Sequence, residues 1–503
     1  MLKVWSFITV SDVVVAIFGL FVFSSILQRV TKKGPMLWPM VGIIPTLFFQ
    51  INEFYDWITD ALIKAGGTFQ FRGIWFGGAY GIVTVDPSTI EYMLKTNFKN
   101  FPKGKYYRER FSDLLGDGIF NADGDLWKEQ RRVASSEMHS TKFLEYSRQM
   151  VVNLVHQKLL KVVNAKVGEI VDLQDIFLRF TFDNICSAAF GVNPGCLAID
   201  LPVIQFARAF EQATEFTLFR FIVPPFVWKV MRFFKLGSEK RLKEASRVVH
   251  EFATKTVYDR RVEYYKLGSL DERSDLLSRL VEVDHEYNSF SDNFLKDFCI
   301  SFILAGRDTS SVALAWFFWL VNKHLHVEKL ILNELSMIRS GRNMDELVFT
   351  IDDMKKMEYL QAALSESLRL YPSVPINFKE VQEEDILPNG TLLRKGARVF
   401  YCIFSMARME AIWGKDCKEF KPERWMKDGK FVDTNQYKYP VFNGGPRLCV
   451  GKKFAFLQMK MVVSSIMLRY KVGVVEGQCV VPKITTTLYM KNGLLVTFKP
   501  RLC

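Results

Sequence analysis

Two long hydrophobic runs stand out along a chain whose other apolar positions mostly recur at helical spacing. The first, Trp5 to Leu27, carries a single charge, Asp12, and is free of charge from Val13 to Gln28. It is long enough to cross a bilayer with Asp12 near one interface. Arg29, Lys32 and Lys33 come directly after it, and a basic flank there favours leaving the remainder of the chain cytoplasmic. The run is long for the apolar core of a signal peptide, and no small-residue cleavage pattern succeeds it. The second run, Phe298 to Leu320, is broken at its centre by Ala305-Gly306-Arg307-Asp308-Thr309-Ser310-Ser311. Charges at mid-length disfavour a second span, so a buried core helix is expected.

Helical patterns dominate between about residues 86 and 380. One helix start is well marked: Asp86 can cap, Pro87 fits the first turn, and Ile90 with Met93 and Leu94 forms the apolar stripe. Short strands are expected at Gly81–Val85, Val399–Ile403, Thr485–Met490 and Leu494–Phe498, and Pro388-Asn389-Gly390-Thr391 reads as a tight hairpin turn. The fold class is mainly α with a small β region. Between Gly34 and Gly42 the prolines cannot continue a helix and predict a stiff, extended connector that orients the downstream domain against the bilayer. No linker, repeat or low-complexity tract divides the rest. The expected organisation is a membrane anchor over residues 1–30, a proline-containing hinge over 31–45 and one large domain over 46–503.

Composition narrows the function classes. Of 503 residues, 49% are hydrophobic and 44 are phenylalanine, enough for a large core and for an apolar substrate cavity. Eight cysteines form no C-x-x-C pair, which argues against zinc or a dithiol site, and their spacing forms no disulfide framework, so a reducing compartment is expected. The net charge of +13 is spread along the chain. No nucleic-acid motif accompanies it, so an anionic membrane surface or an acidic protein partner fits better than nucleic acid.

The most informative chemistry lies near the C-terminus, in Phe442-Asn443-Gly444-Gly445-Pro446-Arg447-Leu448-Cys449-Val450-Gly451. Glycines let backbone amides approach the sulfur closely, and a helix beginning near Lys452 would aim its positive end at the same atom. Both effects favour a thiolate. Arg447 offers a fixed fork for a carboxylate on a bound cofactor. A buried thiolate beside such an arginine is what axial ligation of haem iron requires. Phe442, Gly445, Arg447, Cys449 and Gly451 fill the pattern F-x-x-G-x-R-x-C-x-G, and by it the chain resembles a cytochrome P-450, a haem-thiolate monooxygenase. The resemblance implies the cytochrome P-450 fold behind an N-terminal transmembrane helix. It also implies haem b as cofactor, with Cys449 as axial ligand of the iron.

Other motifs take roles within that resemblance. In the second apolar run, Gly306 and a nearby hydroxyl allow a local bulge that opens a polar pocket, where Asp308 and Thr309 relay protons to iron-bound dioxygen. The family signature A/G-G-x-D/E-T-T/S matches there in full. Glu366 and Arg369, three apart, read as a helical ion pair. The resemblance joins them to Arg424 of Pro422-Glu423-Arg424 in a buried structural network that holds the cysteine loop. Trp127 and Arg131 lie one turn apart, on what spacing alone reads equally as a solvated basic face; the family's W-x-x-x-R motif uses the pair to hold a haem propionate.

The expected reaction is monooxygenation, with one oxygen atom entering a C–H bond and the other becoming water. No flavin- or dinucleotide-binding unit is visible, so NADPH acts indirectly, through a separate membrane-bound NADPH-cytochrome P-450 reductase. The runs 92–104, 304–313 and 397–401 resemble plant fatty-acid omega-hydroxylases, most of all the branch that handles very-long-chain acids for suberin and cutin polyesters. Similarity extends from about Gly34 to the C-terminal strands, with Gly444 and Ser373 standing where that group often has alanine and proline. Attack on a terminal methyl demands a narrow apolar tunnel that holds the fatty acid end-on. Its expected walls are Tyr106–Phe120, Phe216–Phe234, Val374–Phe378 and Thr487–Met490, and the second of these could also dip into the lipid bilayer. The expected location is the endoplasmic reticulum membrane, with a single N-terminal span and the catalytic domain on the cytoplasmic face. The alternatives are a haem-thiolate enzyme acting on another lipid (in-chain hydroxylation, sterol oxidation or hydroperoxide rearrangement) and a non-catalytic, membrane-attached haem or lipid-binding protein.

Overall fold

The computed structural model describes residues 9–31, 34–74, 79–287, 290–340 and 349–501. They fall into two compact units, Met1–Pro102 with Ile376–Gly414, and Lys103–Pro375 with Lys415–Cys503.

In the first unit the N-terminal apolar run forms the helix Val10–Thr31, and Ser11–Gln28 is long and apolar enough to cross a membrane. Val15, Phe18 and Phe23 stand exposed along it. Trp5 to Ile8, Lys32 and Lys33 lie outside the described residues. The connector departs from the expected extended form. Trp38 and Gly42 exchange backbone hydrogen bonds of 2.8 Å each, folding the chain into a turn. Gly42 has φ +60, and a Cβ there would lie 2.0 Å from the Arg72 carbonyl oxygen, so close backbone approach dictates that glycine. Four short strands form a sheet in the order Thr68–Arg72, Tyr80–Thr84, Arg398–Cys402, Ile376–Glu380; the middle pairing is parallel and the outer two antiparallel. Asp86 caps the helix Pro87–Glu91 by accepting from the amides of Ser88 and Thr89, as expected. The Pro388–Thr391 turn joins the paired strands Asp385–Ile386 and Leu392–Leu393.

The second unit is mostly helical. Its longest helix, Asp292–Lys323, contains the second apolar run and is capped by Ser291, whose hydroxyl accepts from the Phe294 amide. It is buried for most of its length, the signature of a core helix rather than a span. It packs against Leu173–Phe190 along a seam where Gly306 faces Ile185. A Cβ at Gly306 would lie 2.5 Å from Ile185 Cγ1, and the helix runs through this point as regular α-helix. Gly306 therefore serves close helix packing, which replaces the expected local bulge. The C-terminal sheet orders Tyr470–Val474, Leu495–Pro500 and Val171–Asp172, all antiparallel. Thr485–Met490 is not a strand, contrary to expectation. Its amides are drawn to other partners: Leu488 donates to the Ser373 carbonyl (2.9 Å) and Met490 to the Gln174 side chain (2.8 Å).

Candidate active site

The cysteine loop is built by two reversals of backbone hand. Pro440–Phe442 forms a 3-10 turn, then Asn443 (φ 62) and Gly445 (φ 60) adopt positive φ. The Cys449 amide closes the loop on the Phe442 carbonyl at 2.8 Å, and the helix Lys452–Arg469 starts three residues beyond the sulfur. Cys449 has the open surface of an exposed residue, yet burial is the main influence on its thiol and pushes it up. A side chain that is accessible but enclosed on all sides by protein lines an internal hollow. A Cβ on Gly451 would touch only the Cys449 sulfur, at 3.9 Å, so space remains on that side of the loop.

The amides of Gly451 and Lys452 and the charges of Arg131 and Lys452 all pull the thiol down, in the direction expected. Burial outweighs them. The expected effects of amides and helix end thus act in the expected direction against that burial, and a bound cation would add to them, as a metal does for a coordinating thiol.

Around this loop the second unit gathers cations. The Arg447 guanidinium sits over the Trp127 ring at 4.4 Å, while its Nη2 donates to the Asp123 carboxylate (2.6 Å) and the Ala122 carbonyl (3.1 Å). Trp127 is buried on the helix Gly124–Met138, and Arg131, one turn on, is half-buried and near enough to Cys449 for their charges to interact. The solvated-face reading of this pair is thereby set aside. Asp123 and Lys103 were not singled out in the sequence. Asp123 also accepts from the amides of Lys103 (3.0 Å) and Gly104 (2.9 Å). The Lys103 ammonium is buried 4.2 Å over the Tyr107 ring; burial, then the Arg447 charge, push it down to about 7, with Asp123 opposing. Lys103, Arg131 and Arg447 against the single carboxylate of Asp123 make a positively biased, enclosed wall, the complement of a cofactor that carries two carboxylates. The residues present fit haem.

The Asp292–Lys323 helix shows a second facet of the site. Ala305, Gly306 and Thr309 are half-buried on a helix whose neighbouring residues are otherwise mostly covered. The Thr309 hydroxyl donates to the Ala305 carbonyl (2.6 Å), and the Thr309 carbonyl accepts from Ser373 (2.7 Å). Asp308 is 1% exposed and turned elsewhere, toward Arg307 Nη1 at 2.9 Å. The acid and the alcohol are thus adjacent in sequence without a hydrogen bond between them. Ser310, one residue further, meets Gln458 of the Lys452–Arg469 helix, and Gln458 accepts from Asn184 at 2.9 Å. This buried amide bridge ties the Asp292–Lys323 helix to the Lys452–Arg469 helix.

Glu366, Arg369 and Arg424 come together in the folded chain. Glu366 and Arg369, both buried on the helix Glu358–Leu370, pair in a two-point fork (2.7 and 2.9 Å). Arg424 Nε (3.4 Å) and Trp425 Nε1 (2.8 Å) donate to the same carboxylate. Trp425 then packs edge-on against Tyr439, 4.7 Å between centroids, and Tyr439 leads into the cysteine loop. Segments 106–120 and 216–234, expected as walls, meet in an aromatic cluster: Phe221 lies 5.5 Å from Phe111 and 6.2 Å from Tyr107.

A cysteine in a glycine loop beside a cationic wall, together with an acid–alcohol pair on the longest helix, is the residue set of a haem-thiolate oxygenase. The profile of the family Cytochrome P450 matches residues 33–500. Cytochrome P450 86B1 of Arabidopsis thaliana is 50% identical over 97% of this chain and 89% of its own length. Cytochrome P450 94A1 of Vicia sativa is 42% identical over 93% and 90%, and noroxomaritidine synthase of Narcissus aff. pseudonarcissus MK-2014 is 34% identical over 97% and 96%. The chain belongs to the cytochrome P450 family. It is a monooxygenase that uses haem-thiolate iron, with electrons supplied from NADPH by a reductase.

Proposed function

We propose that this chain is a membrane-anchored omega-hydroxylase, inserting one atom of dioxygen into the terminal methyl of a long- or very-long-chain fatty acid. The observation that carries the reading is the 50% identity to cytochrome P450 86B1 along 97% of the chain. The resemblance of the runs 92–104, 304–313 and 397–401 to plant fatty-acid omega-hydroxylases supports it. Family membership alone does not choose the substrate, since a relative 34% identical is named for a different product.

Cys449 would ligate the haem iron, and Trp127, Arg131 and Arg447 would hold the propionates, with Phe442, Gly445 and Gly451 shaping the cradle. When bound, haem with a sulfur ligand supplies the activation of dioxygen and the cleavage of its O–O bond. The rest is the work of this chain. Two electrons enter with two protons, so that one oxygen atom leaves as water. Asp308 and Thr309 are the proton-bearing pair; because Asp308 rests on Arg307 and the Thr309 hydroxyl on the Ala305 carbonyl, both side chains must turn from these partners before a proton passes between them. Glu366, Arg369 and Arg424 keep the cysteine loop in place. Tyr107, Phe111 and Phe221 supply a dry aromatic wall that excludes water and confines an acyl chain. Electrons come from the NADPH-cytochrome P-450 reductase, and the helix Val10–Thr31 anchors the chain in the endoplasmic reticulum membrane with its catalytic part on the cytoplasmic face. The products suit suberin and cutin polyesters.

The test is turnover by membranes carrying the protein and reductase, with NADPH and saturated fatty acids graded in length. Terminal hydroxy acids are expected by mass spectrometry. Hydroxyls found mainly in-chain, or conversion of lipid hydroperoxides without NADPH in place of hydroxylation, would overturn the reading.

A further inference from the structure

The chain beyond the N-terminal helix doubles back along it. The Gln28 side chain grips one residue of the connector, accepting from the Leu37 amide (2.7 Å) and donating to the Leu37 carbonyl (2.6 Å). Trp38 then lies against Phe21, 5.9 Å between ring centroids, two turns back along the helix Val10–Thr31. A groove of about 550 Å³ separates helix and connector, within the range of about 300–1,000 Å³ usual for small-molecule sites. Ala16, Leu20 and Phe21 line it from the helix, and Trp38, Pro39 and Met40 from the connector. The charged member of the lining is Arg72, exposed at the end of the strand Thr68–Arg72.

A non-helical segment that enters a bilayer must satisfy its own backbone, because hydrocarbon offers no partners. The connector meets that demand. Gln28 matches Leu37 at both of its backbone groups, Trp38 and Gly42 exchange hydrogen bonds, and Val41 donates to the Pro39 carbonyl (2.7 Å). The Met36 carbonyl accepts from Thr46 Oγ1 (3.3 Å), and the Ile43 amide donates to the Arg72 carbonyl (2.8 Å). The nearby surface is apolar as well: Met40, Phe48 and Phe49 stand exposed, a greasy patch continuous with the anchor. From Ala16 to Gln28 the helix rises about 18 Å, comparable with the hydrocarbon of one leaflet, about 15 Å. Water in so apolar a groove would find few partners, whereas an acyl chain matches its walls. Arg72, with Arg29, Lys32 and Lys33 following Gln28 in sequence, complements a negative headgroup. We propose that this groove binds one anionic phospholipid of the cytoplasmic leaflet, its acyl chain along Ala16, Leu20 and Phe21 and its phosphate on Arg72. The lipid fills the gap between anchor and connector and thereby sets how the connector is held. The inference rests on the membrane-anchor reading, because it needs the helix in a bilayer.

The experiment uses the full-length, haem-loaded protein purified in mild detergent, offered phosphatidylglycerol or phosphatidylcholine and weighed intact by native mass spectrometry. The parent chain is expected to retain one phosphatidylglycerol, with at least a tenfold preference over phosphatidylcholine. Arg72→Gln is expected to cut that preference at least threefold. Ala16→Phe fills the groove and is expected to abolish the adduct, whereas Val15→Phe adds a ring at an exposed position outside the groove and is expected to keep it. The thiolate-type band of the reduced carbon monoxide complex, expected in all three variants, reports that each is folded. Equal retention of phosphatidylglycerol by the parent, Arg72→Gln and Ala16→Phe, or no preference between the two lipids in the parent, would overturn the proposal. Displacement of the phospholipid by an equal concentration of palmitate would overturn it too, giving the groove to a free fatty acid. Release of the parent chain from membranes by alkaline carbonate would instead overturn the anchor reading beneath it.

Discussion

Replacing Glu366 with glutamine tests how the cysteine loop is held. Five donors converge on this one carboxylate: Arg369 Nε and Nη2, Trp425 Nε1, the Lys421 amide and Arg424 Nε. Glutamine preserves shape but removes the charge, and turns an NH2 group toward a ring of donors. Arg369, 1% exposed, is left with its charge uncompensated. Breaking a buried pair in this way costs about 3–5 kcal/mol. Arg369 keeps its bonds to the carbonyls of Cys417 (2.8 Å) and Glu419 (3.1 Å), so the lower end applies. A loss of about 3 kcal/mol is about a hundredfold in the folding equilibrium. Arg424→Met removes the 3.4 Å contact to Glu366 and less buried bonds to the Asp416 carbonyl (2.9 Å) and carboxylate (3.0 Å), leaves Glu366 and Arg369 paired, and is expected to cost about 1–2 kcal/mol. The assay is the urea concentration at which the thiolate-type carbon monoxide band is lost, with slopes compared to ensure that the same transition is monitored. Equal midpoints for Glu366→Gln and Arg424→Met would refute the argument that an uncompensated buried charge dominates.

Four further outcomes are expected from the geometry. Cys449→Ala is expected to abolish the thiolate-type absorption band of the reduced carbon monoxide complex; a band retained at its usual position would mean another ligand. Asp123→Asn weakens the hold on Arg447, so faster haem loss to an acceptor protein is expected, with secondary structure by circular dichroism unchanged. Gly306→Ala drives a Cβ into Ile185 and is expected to destabilise by about 1–3 kcal/mol in thermal unfolding; adding Ile185→Ala, which removes the two nearest carbons, should recover part of the loss. Ser373→Pro deletes the hydroxyl that bonds the Thr309 carbonyl, so the ratio of terminal to in-chain hydroxylation is expected to change; an identical product distribution by mass spectrometry would count against a role for that contact.

Local chemistry was legible in the sequence wherever a residue's partners lie within a turn or two. Asp86 as a cap, the 388–391 turn, and the buried Phe298–Leu320 run all obey short-range rules. The cysteine loop was legible for the same reason: Phe442, Cys449 and Gly451 sit in one short segment, and the 2.8 Å bond from Cys449 to Phe442 spans only seven residues. Glycine was harder to read. Gly306 lacks a side chain because a neighbouring helix presses on it, and only the position of Ile185 reveals that.

Hidden from the sequence is the set of polar struts whose two ends are far apart along the chain. Ser310 and Gln458, Ser373 and Thr309, Asp123 and Arg447 are such pairs, and even where one member drew notice no periodicity marks it as the partner of the other. They matter because apolar packing resists separation well but slides easily, whereas a buried donor and acceptor tolerate little displacement before both lose their partners. An enzyme that must keep a sulfur, a proton-bearing side chain and a substrate C–H bond in register needs directional fixings where the packing surfaces are greasiest. The amide bridge from Asn184 through Gln458 to Ser310 supplies one between the Lys452–Arg469 and Asp292–Lys323 helices. Such fixings tie regiochemistry to residues that never touch substrate, so two family members with equivalent cysteine loops can still oxidise different carbons.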